Sequence, residues 1–321
     1  MNSGWAIRRG CRRPALTLAI AAALFSSLSP ATAETWRFAL IGDTPYTAYE
    51  RAELPKMLEA IADHHVEFVA HVGDFKNGQT PCDDQRFADR QQLFNASRAP
   101  FVYVPGDNEW TDCARQSCGG YDPVERLQKL RSLFWADGLS LGRKKIALER
   151  QPGEYAEHSR FRLGPVLFVT LNLPGDDNHR SKSRDPRPEF LARNPVVVEW
   201  LRDSFKLARQ EKLAGVVLLF QANPAFPHFN QGLVHDGFRD FLTTLRDETA
   251  SFSGQVVAVH GDSHINRIDQ PMRDAHGRTM RNFVRVETFG YPFMGWTHGV
   301  IDSDLPTLFR FENHPWPPRQ P

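Results

Sequence analysis

The sequence predicts an α/β fold of four layers, two mixed sheets packed face to face with helices outside, and three observations carry that prediction. Apolar, β-branched runs end repeatedly in Gly-Asp, helical patterns separate those runs, and after Ser253 the helices drop out. The runs are TWRFALIGD, VEFVAHVGD, PFVYVPGD, VLFVTLNLPGD and QVVAVHGD, and they hold all five Gly-Asp dipeptides of the chain. Ordinary usage of the two residues would place about one such dipeptide anywhere in a chain of this length.

Between the runs, apolar residues recur at spacings of three and four in ERAELPKMLEAIADHH, DQRFADRQQLFNA, PVERLQKLRSLFW, PVVVEWLRDSFKLARQ and DGFRDFLTTLRDE, the period of helices with one buried face. Strand alternating with helix implies parallel strands joined by right-handed crossovers, and such sheets place ligands beyond the carboxyl ends of their strands. The Gly-Asp pairs should therefore meet at one edge, glycine allowing the sharp turn and aspartate pointing into the crevice. QVVAVHGDSH, RNFVRVETFG and THGVIDSDLPTLFRFE follow one another with short turns. They read as an antiparallel section that, with FRLGPVLFVTLNL, forms the second sheet.

At the N-terminus Arg8, Arg9, Arg12 and Arg13 precede the apolar run ALTLAIAAALF, which leads to Ala31-Thr32-Ala33. This is the pattern of a secretory signal peptide over residues 1–33, with a single domain over 34–321 and a periplasmic or secreted location. The arginine pairs leave both the general and the twin-arginine export routes open. No later stretch approaches the run of apolar residues that a membrane helix requires. Loss of the segment moves the formal balance from 39 − 38 to 35 − 38, a net charge of −3, so nothing favours a nucleic-acid partner. Cys11 lies in the leader, leaving Cys82, Cys113 and Cys118. In an oxidising compartment the expectation is one disulfide and one free thiol. Cys82 with Cys113 is favoured, because both follow strand ends at the same sheet edge; the short Cys113–Cys118 loop is the alternative.

Carboxylates gathered at one rim repel one another, and a divalent cation is the usual remedy. The candidates are Asp43, Asp74, Asp107 and Asp262, joined by His264. Because His260, Asp262 and His264 alternate along an extended segment, their side chains are expected to point the same way. Tyr46 adjoins the predicted rim and, like Trp110, is a candidate wall of the substrate pocket. Lys76 and Arg267 are candidates to grip an anion, while His64, His65 and His71 read as structural or surface residues.

These segments carry a family resemblance. Asp43 in IGDTPY, Asp74 in HVGDF, the run Gly106-Asp107-Asn108-Glu109, the run Phe220-Gln221-Ala222-Asn223-Pro224, and Gly261-Asp262-Ser263-His264 resemble the five ordered blocks of calcineurin-like metallophosphoesterases, spread over nearly all of residues 34–321. The resemblance implies a four-layer α/β/β/α sandwich, hydrolysis of phosphate mono- or diesters, and one or two divalent ions as cofactors. By position, Asp43 and His264 resemble ligands of the first ion, and Asp74 resembles the aspartate that bridges both. Pro45 stands where a histidine ligand is usual, Asp107 where an asparagine ligand is, and Asn108 where a histidine proton donor is. Gln221 or Asn223 falls in the fourth block, where a histidine ligand is expected, with Asn223 a candidate for substrate binding, and Asp262 replaces another histidine. Nitrogen is thus exchanged for oxygen, which favours Mn²⁺, Mg²⁺, Ca²⁺ or iron over Zn²⁺. Asn108 can donate a hydrogen bond to a phosphate oxygen but cannot release a proton, so His260 is the candidate acid.

The implied function is an exported metal-dependent phosphoesterase acting on a phosphorylated small molecule. The alternative is a protein of the same fold that binds metal or a phosphorylated ligand without turnover, motivated by Pro45 and Asn108. A third reading, serine-type hydrolysis through Ser263 between His260 and His264, lacks any G-x-S-x-G elbow.

Overall fold

The structure, a computed structural model, describes residues 1–6, 10, 34–181, 183–233 and 236–318. The chain divides into two compact units, Met1–Thr32 and Ala33–Pro321. The signal-peptide expectation falls almost wholly on residues 7–9 and 11–33, outside the described residues, and so does Cys11. Among the described residues no helix is long and apolar enough to cross a membrane.

The second unit is built on two sheets. In chain order, β1 (Thr35–Ile41), β2 (Phe68–His71) and β3 (Phe101–Tyr103) start the first sheet. The second takes β4 (Glu149–Arg150), β5 (Ser159–Leu163), β6 (Val166–Thr170), β7 (Gly215–Leu219), β8 (Gln255–His260), β9 (Arg267–Asp269) and β10 (Phe283–Glu287). The chain then returns to the first sheet with β11 (Gly295–Asp302) and β12 (Phe309–Pro315). The first sheet has the order β12-β11-β1-β2-β3 and the second β4-β5-β6-β7-β8-β10-β9.

The helices are α1 (Ala48–Asp63), α2 (Asp84–Asn95), α3 (Pro123–Phe134), α4 (Gly175–Asn178), α5 (Pro188–Gln210), α6 (Phe226–Asn230) and α7 (Asp236–Ser251). Strand alternation assigns the layers. In β1, Phe38 and Leu40 enter a core shared with Phe68, Phe168 and Val257 between the sheets, while Ala39 and Ile41 face the other way, onto Leu54 and Met57 of α1. Behind the second sheet, Val216 and Leu218 pack on Leu201 of α5 and Phe241 of α7. Three separate apolar cores between four layers give the expected α/β/β/α sandwich.

Two strand placements differ from the sequence reading. β10 lies parallel to β8, because β9 runs back between them in the chain and pairs antiparallel with the far edge of β10. The hairpin of β11 and β12 joins the first sheet through an antiparallel pairing with β1, not the second. Local patterning fixes a strand's faces but says nothing of which sheet receives it.

Cys82 and Cys113 form a disulfide, and Cys118 is a buried free thiol. The bond closes a loop of 31 residues. Replacing both cysteines by serine is expected to cost about 3–4 kcal/mol through loop entropy, read from urea unfolding midpoints of the oxidised parent and the variant.

Candidate metal and phosphate site

The site lies where β1, β2, β3 and β8 end. After β1 the backbone amide of Asp43 donates to the carbonyl of Gly73 at 3.0 Å, tying the first two Gly-Asp turns together. Asp43, Asp74, Asp262 and His264 all adopt left-handed backbone, with φ of 49°, 59°, 76° and 58°. Aspartate and histidine tolerate this region better than most residues, yet each such position still costs about 1–3 kcal/mol and has to be held by its surroundings.

The glycines of these dipeptides serve close approach. A Cβ on Gly106 would lie 2.1 Å from Asp74 Oδ1, and one on Gly261 would lie 2.1 Å from Asp43 Oδ2. Glu109 holds the turns from below: its Oε1 accepts from the amides of Asp74 and Gly106, both at 2.9 Å, and from the Tyr103 hydroxyl at 2.6 Å. The sequence marked Glu109 only as the end of its block, and its anchoring role emerges from the fold.

Tyr46 reaches the centre of the site. It immediately precedes the N-cap of α1, where Thr47 and Glu50 form a reciprocal capping box that fixes the chain's entry into the helix. Its hydroxyl lies 3.3 Å from Asp43 Oδ1, 3.3 Å from Asp74 Oδ2 and 3.2 Å from His264 Nε2. Asn108 Nδ2 donates to the same hydroxyl at 3.1 Å, and His264 Nε2 is 3.4 Å from Asp43 Oδ1. The Tyr46 hydroxyl therefore sits among Asp43, Asp74 and His264 within hydrogen-bond reach of each, while ligand atoms of those three residues do not all lie within 4.8 Å of one another, so a single ion would have to draw them together around the position the hydroxyl now takes.

Asp107 and Asp262 stand beside this cluster. Gln221 Nε2 donates to Asp74 Oδ2 at 3.1 Å and to Asp107 Oδ1 at 3.0 Å, while its Oε1 accepts from the amide of Gly175 at 2.7 Å. The Gly175 amide fixes the orientation of the carboxamide, so Gln221 presents N–H, not oxygen, to the carboxylates. Asp262 accepts from the amide of Asn223 at 2.8 Å and donates its own amide to both oxygens of Asp43 at 3.1 Å. Asn223 spends its side chain on Ser263 and Ala225, so it positions the last Gly-Asp turn.

Charge is crowded here. Burial first, then Asp107, Glu109, Asp43 and Asp262, push the Asp74 carboxyl well above the usual range. Burial, then Asp262, Asp112 and Glu109, do the same to Asp107, and burial raises Asp262 to about 6. Burial and the carboxylates, Asp74 foremost, push the Tyr46 phenol up, whereas the hydrogen bond to Asp43 raises His264. Three aspartates, Asp74, Asp107 and Asp262, whose burial and proximity disfavour ionisation, with Asp43, an imidazole and a phenol beside them, fit a bound cation.

Three expectations are corrected by placement. His260 does not face the rim. It continues the face of β8 that carries Val256 and Ala258 toward the helices, is fully buried, and stacks on Phe220 at 5.8 Å. Burial lowers it to about 3. The left-handed turn at Asp262 breaks the two-residue alternation, so His260 and His264 part company. Ser263 donates to Glu287, which removes the serine–histidine arrangement. Trp110 and Lys76 are buried in the interior, and Arg267 is paired with Glu287 at 2.6 Å, so none of the three is a free wall or anion clamp at the rim.

The fold is like that of the calcineurin-like metallophosphoesterases. Among solved structures the chain is similar to a dimetal phosphatase from Danio rerio, at 13% identity and a TM-score of 0.52, over 87% of this chain and 96% of that one. A purple acid phosphatase from yellow lupin (Lupinus luteus) seeds matches at 12% identity and a TM-score of 0.47, over 89% of this chain and 52% of its own. No protein-family model matches the sequence, and no curated protein matches it. At 13% identity the likeness to the Danio rerio phosphatase shows the fold alone.

Proposed function

We propose that this protein is an exported, metal-dependent phosphoesterase whose principal cation is held by Asp43, Tyr46, Asp74 and His264. The observation that carries this reading is the convergence of Asp43, Asp74 and His264, from three strand-end turns, on the Tyr46 hydroxyl, which lies 3.2–3.3 Å from each. When bound, a divalent ion supplies Lewis acidity: it offsets carboxylate charge, polarises a phosphoryl oxygen and acidifies water. Oxygen donors outnumber nitrogen, which favours Mn²⁺, Mg²⁺, Ca²⁺ or iron. Asp107 has the position of a second-ion ligand, but the Gln221 amide already bridges it to Asp74, so the reading is of one ion, with an N–H pair doing part of a second ion's neutralising work.

Within the site Asn108 Nδ2 is placed to donate to a phosphoryl oxygen, and Tyr291, stacked on Tyr46 at 6.1 Å, offers a partly exposed aromatic face at the mouth. With His260 in the core and Asn108 unable to release a proton, leaving groups that depart as stable anions are the expected substrates. The same observation favours the second reading, a metal- or phospho-ligand-binding protein without turnover. The test is hydrolysis of 4-nitrophenyl phosphate and its bis-ester by metal-stripped protein reloaded with Mn²⁺, Mg²⁺, Ca²⁺, iron or Zn²⁺. Cleavage of either ester by an oxygen-preferring ion supports the enzyme; stoichiometric metal with no cleavage supports the binder.

Tyr46→Phe isolates the phenol. Losing the outer partner of a metal site typically costs ten- to a hundredfold in affinity, so loss of a direct ligand should weaken Mn²⁺ binding by at least about tenfold, read by titration calorimetry. An unchanged affinity would remove Tyr46 from the ligand set.

A further inference from the structure

A second group of metal-binding side chains lies outside this site and shares no residue with it. In the hairpin of β11 and β12, Trp296 is paired with His314 and His298 with Glu312, so alternation puts all four on one face. It is the face turned to α1, since Trp296 packs in the core that contains Leu54 and Met57. Candidate donor atoms of His298, Glu312 and His314 all lie within 4.8 Å of one another. His64, the C-cap of α1, brings a third imidazole, with ring centroids 5.5 Å from His298 and 5.2 Å from His314.

Two features distinguish this group from a chance collection of surface polar residues. His298 Nε2 and His314 Nε2 are both buried and have no hydrogen-bond partner. A buried ring nitrogen without a hydrogen-bond partner forfeits hydration for nothing, and with donor atoms of the three residues within 4.8 Å of one another and His314 Nε2 3.9 Å from Glu312 Oε1, an ion bridging them would satisfy both rings. In addition, His314 stacks on Trp296 at 4.2 Å and 11°, which fixes the ring's orientation. Burial, then His64 and His314, hold His298 down to about 4, which leaves its lone pair free near neutral pH.

We propose that His298, His314 and Glu312, completed by His64, form a second metal site that takes Zn²⁺ or another imidazole-preferring transition ion. Three imidazoles and a carboxylate form a nitrogen-rich tetrahedral set, in contrast to the oxygen-rich set around Tyr46, so the two sites select different ions. Closing the donors onto one ion requires contraction of the present spacings, which rotation of exposed Glu312 and His64 supplies. The site would pin β12, the outer strand of the first sheet, to the end of α1, a structural role for which a closed four-ligand site is suited.

The test uses the full chain, stripped with a chelator and titrated with Zn²⁺ or Co²⁺. The expected result is that His298→Gln/His314→Gln binds roughly one equivalent of zinc fewer than the parent by native mass spectrometry and loses the visible ligand-field bands of nitrogen-bound Co²⁺. Its Mn²⁺ affinity at the carboxylate site stays unchanged. Because that variant could disturb packing around Trp296, Glu312→Ala/His64→Ala, altered only at exposed positions, serves as the second arm, with zinc affinity expected to fall at least about tenfold. If the exposed pair leaves zinc affinity unchanged, or if folded His298→Gln/His314→Gln retains the full zinc complement, the proposal is overturned.

Discussion

Asp74→Asn is expected to lower phosphoesterase turnover at least about a thousandfold, because a bound ion's charge stabilisation is worth several kcal/mol in the transition state and each 1.4 kcal/mol is a factor of ten. Asp74 Oδ2 meets the Tyr46 hydroxyl and the Gln221 amide, while Oδ1 accepts from the amide of Asn108. An asparagine there keeps the shape, removes the charge, and turns an N–H toward groups that are themselves donors. Two readouts should move together: kcat with the best ion, and the rise in melting temperature that Mn²⁺ gives the parent. At a hundredfold excess over Kd that rise corresponds to about 2.7 kcal/mol, and the variant should show little of it. A variant that keeps both would place the ion elsewhere.

Arg193→Ala is expected to destabilise the fold by about 3–5 kcal/mol, the usual cost of leaving one partner of a buried ion pair alone. Arg193 on α5 is fully buried and bonds Glu189 Oε1 at 2.6 Å, the carbonyls of Asn172 and Asn178 at 2.8 and 2.9 Å, and Asn178 Oδ1 at 2.7 Å. Its guanidinium also lies 5.5 Å from the Trp110 ring. It therefore holds the loop that brings the Gly175 amide to Gln221, so loosening should reach the candidate metal site. Burial pushes Glu189 up, but Arg193 and His179 outweigh it and hold the carboxyl down to about 2. A depressed carboxylate stabilises the fold above its unfolded value near 4, and that contribution is lost as pH falls toward 2. Urea unfolding at pH 7 and pH 3 should show the parent losing this contribution at the lower pH, whereas Arg193→Ala, having lost the pairing already, should change less.

The sequence by itself determined the layers and the metal-binding aspartates as candidates. Apolar alternation in β1 and β8 and the helical period of α1 and α5 are local properties, set by covalent geometry within a few residues, and Gly-Asp at strand ends follows from them. It could not decide which sheet receives β11 and β12, since patterning marks faces without naming neighbours. Nor could it place His260. Counting by twos sent it to the rim with His264, but the left-handed turn at Asp262, held by Asp43 and Asn223, sends one histidine to the core and the other to the site. Only the tertiary structure brought Tyr46 among Asp43, Asp74 and His264, set Gln221 with its amide toward the carboxylates, and gathered His64, His298, Glu312 and His314. The physical reason is common to these cases: a side chain's chemistry depends on which atoms lie within a few ångströms, and the closure of the chain into sheets and turns, not local pattern, chooses them.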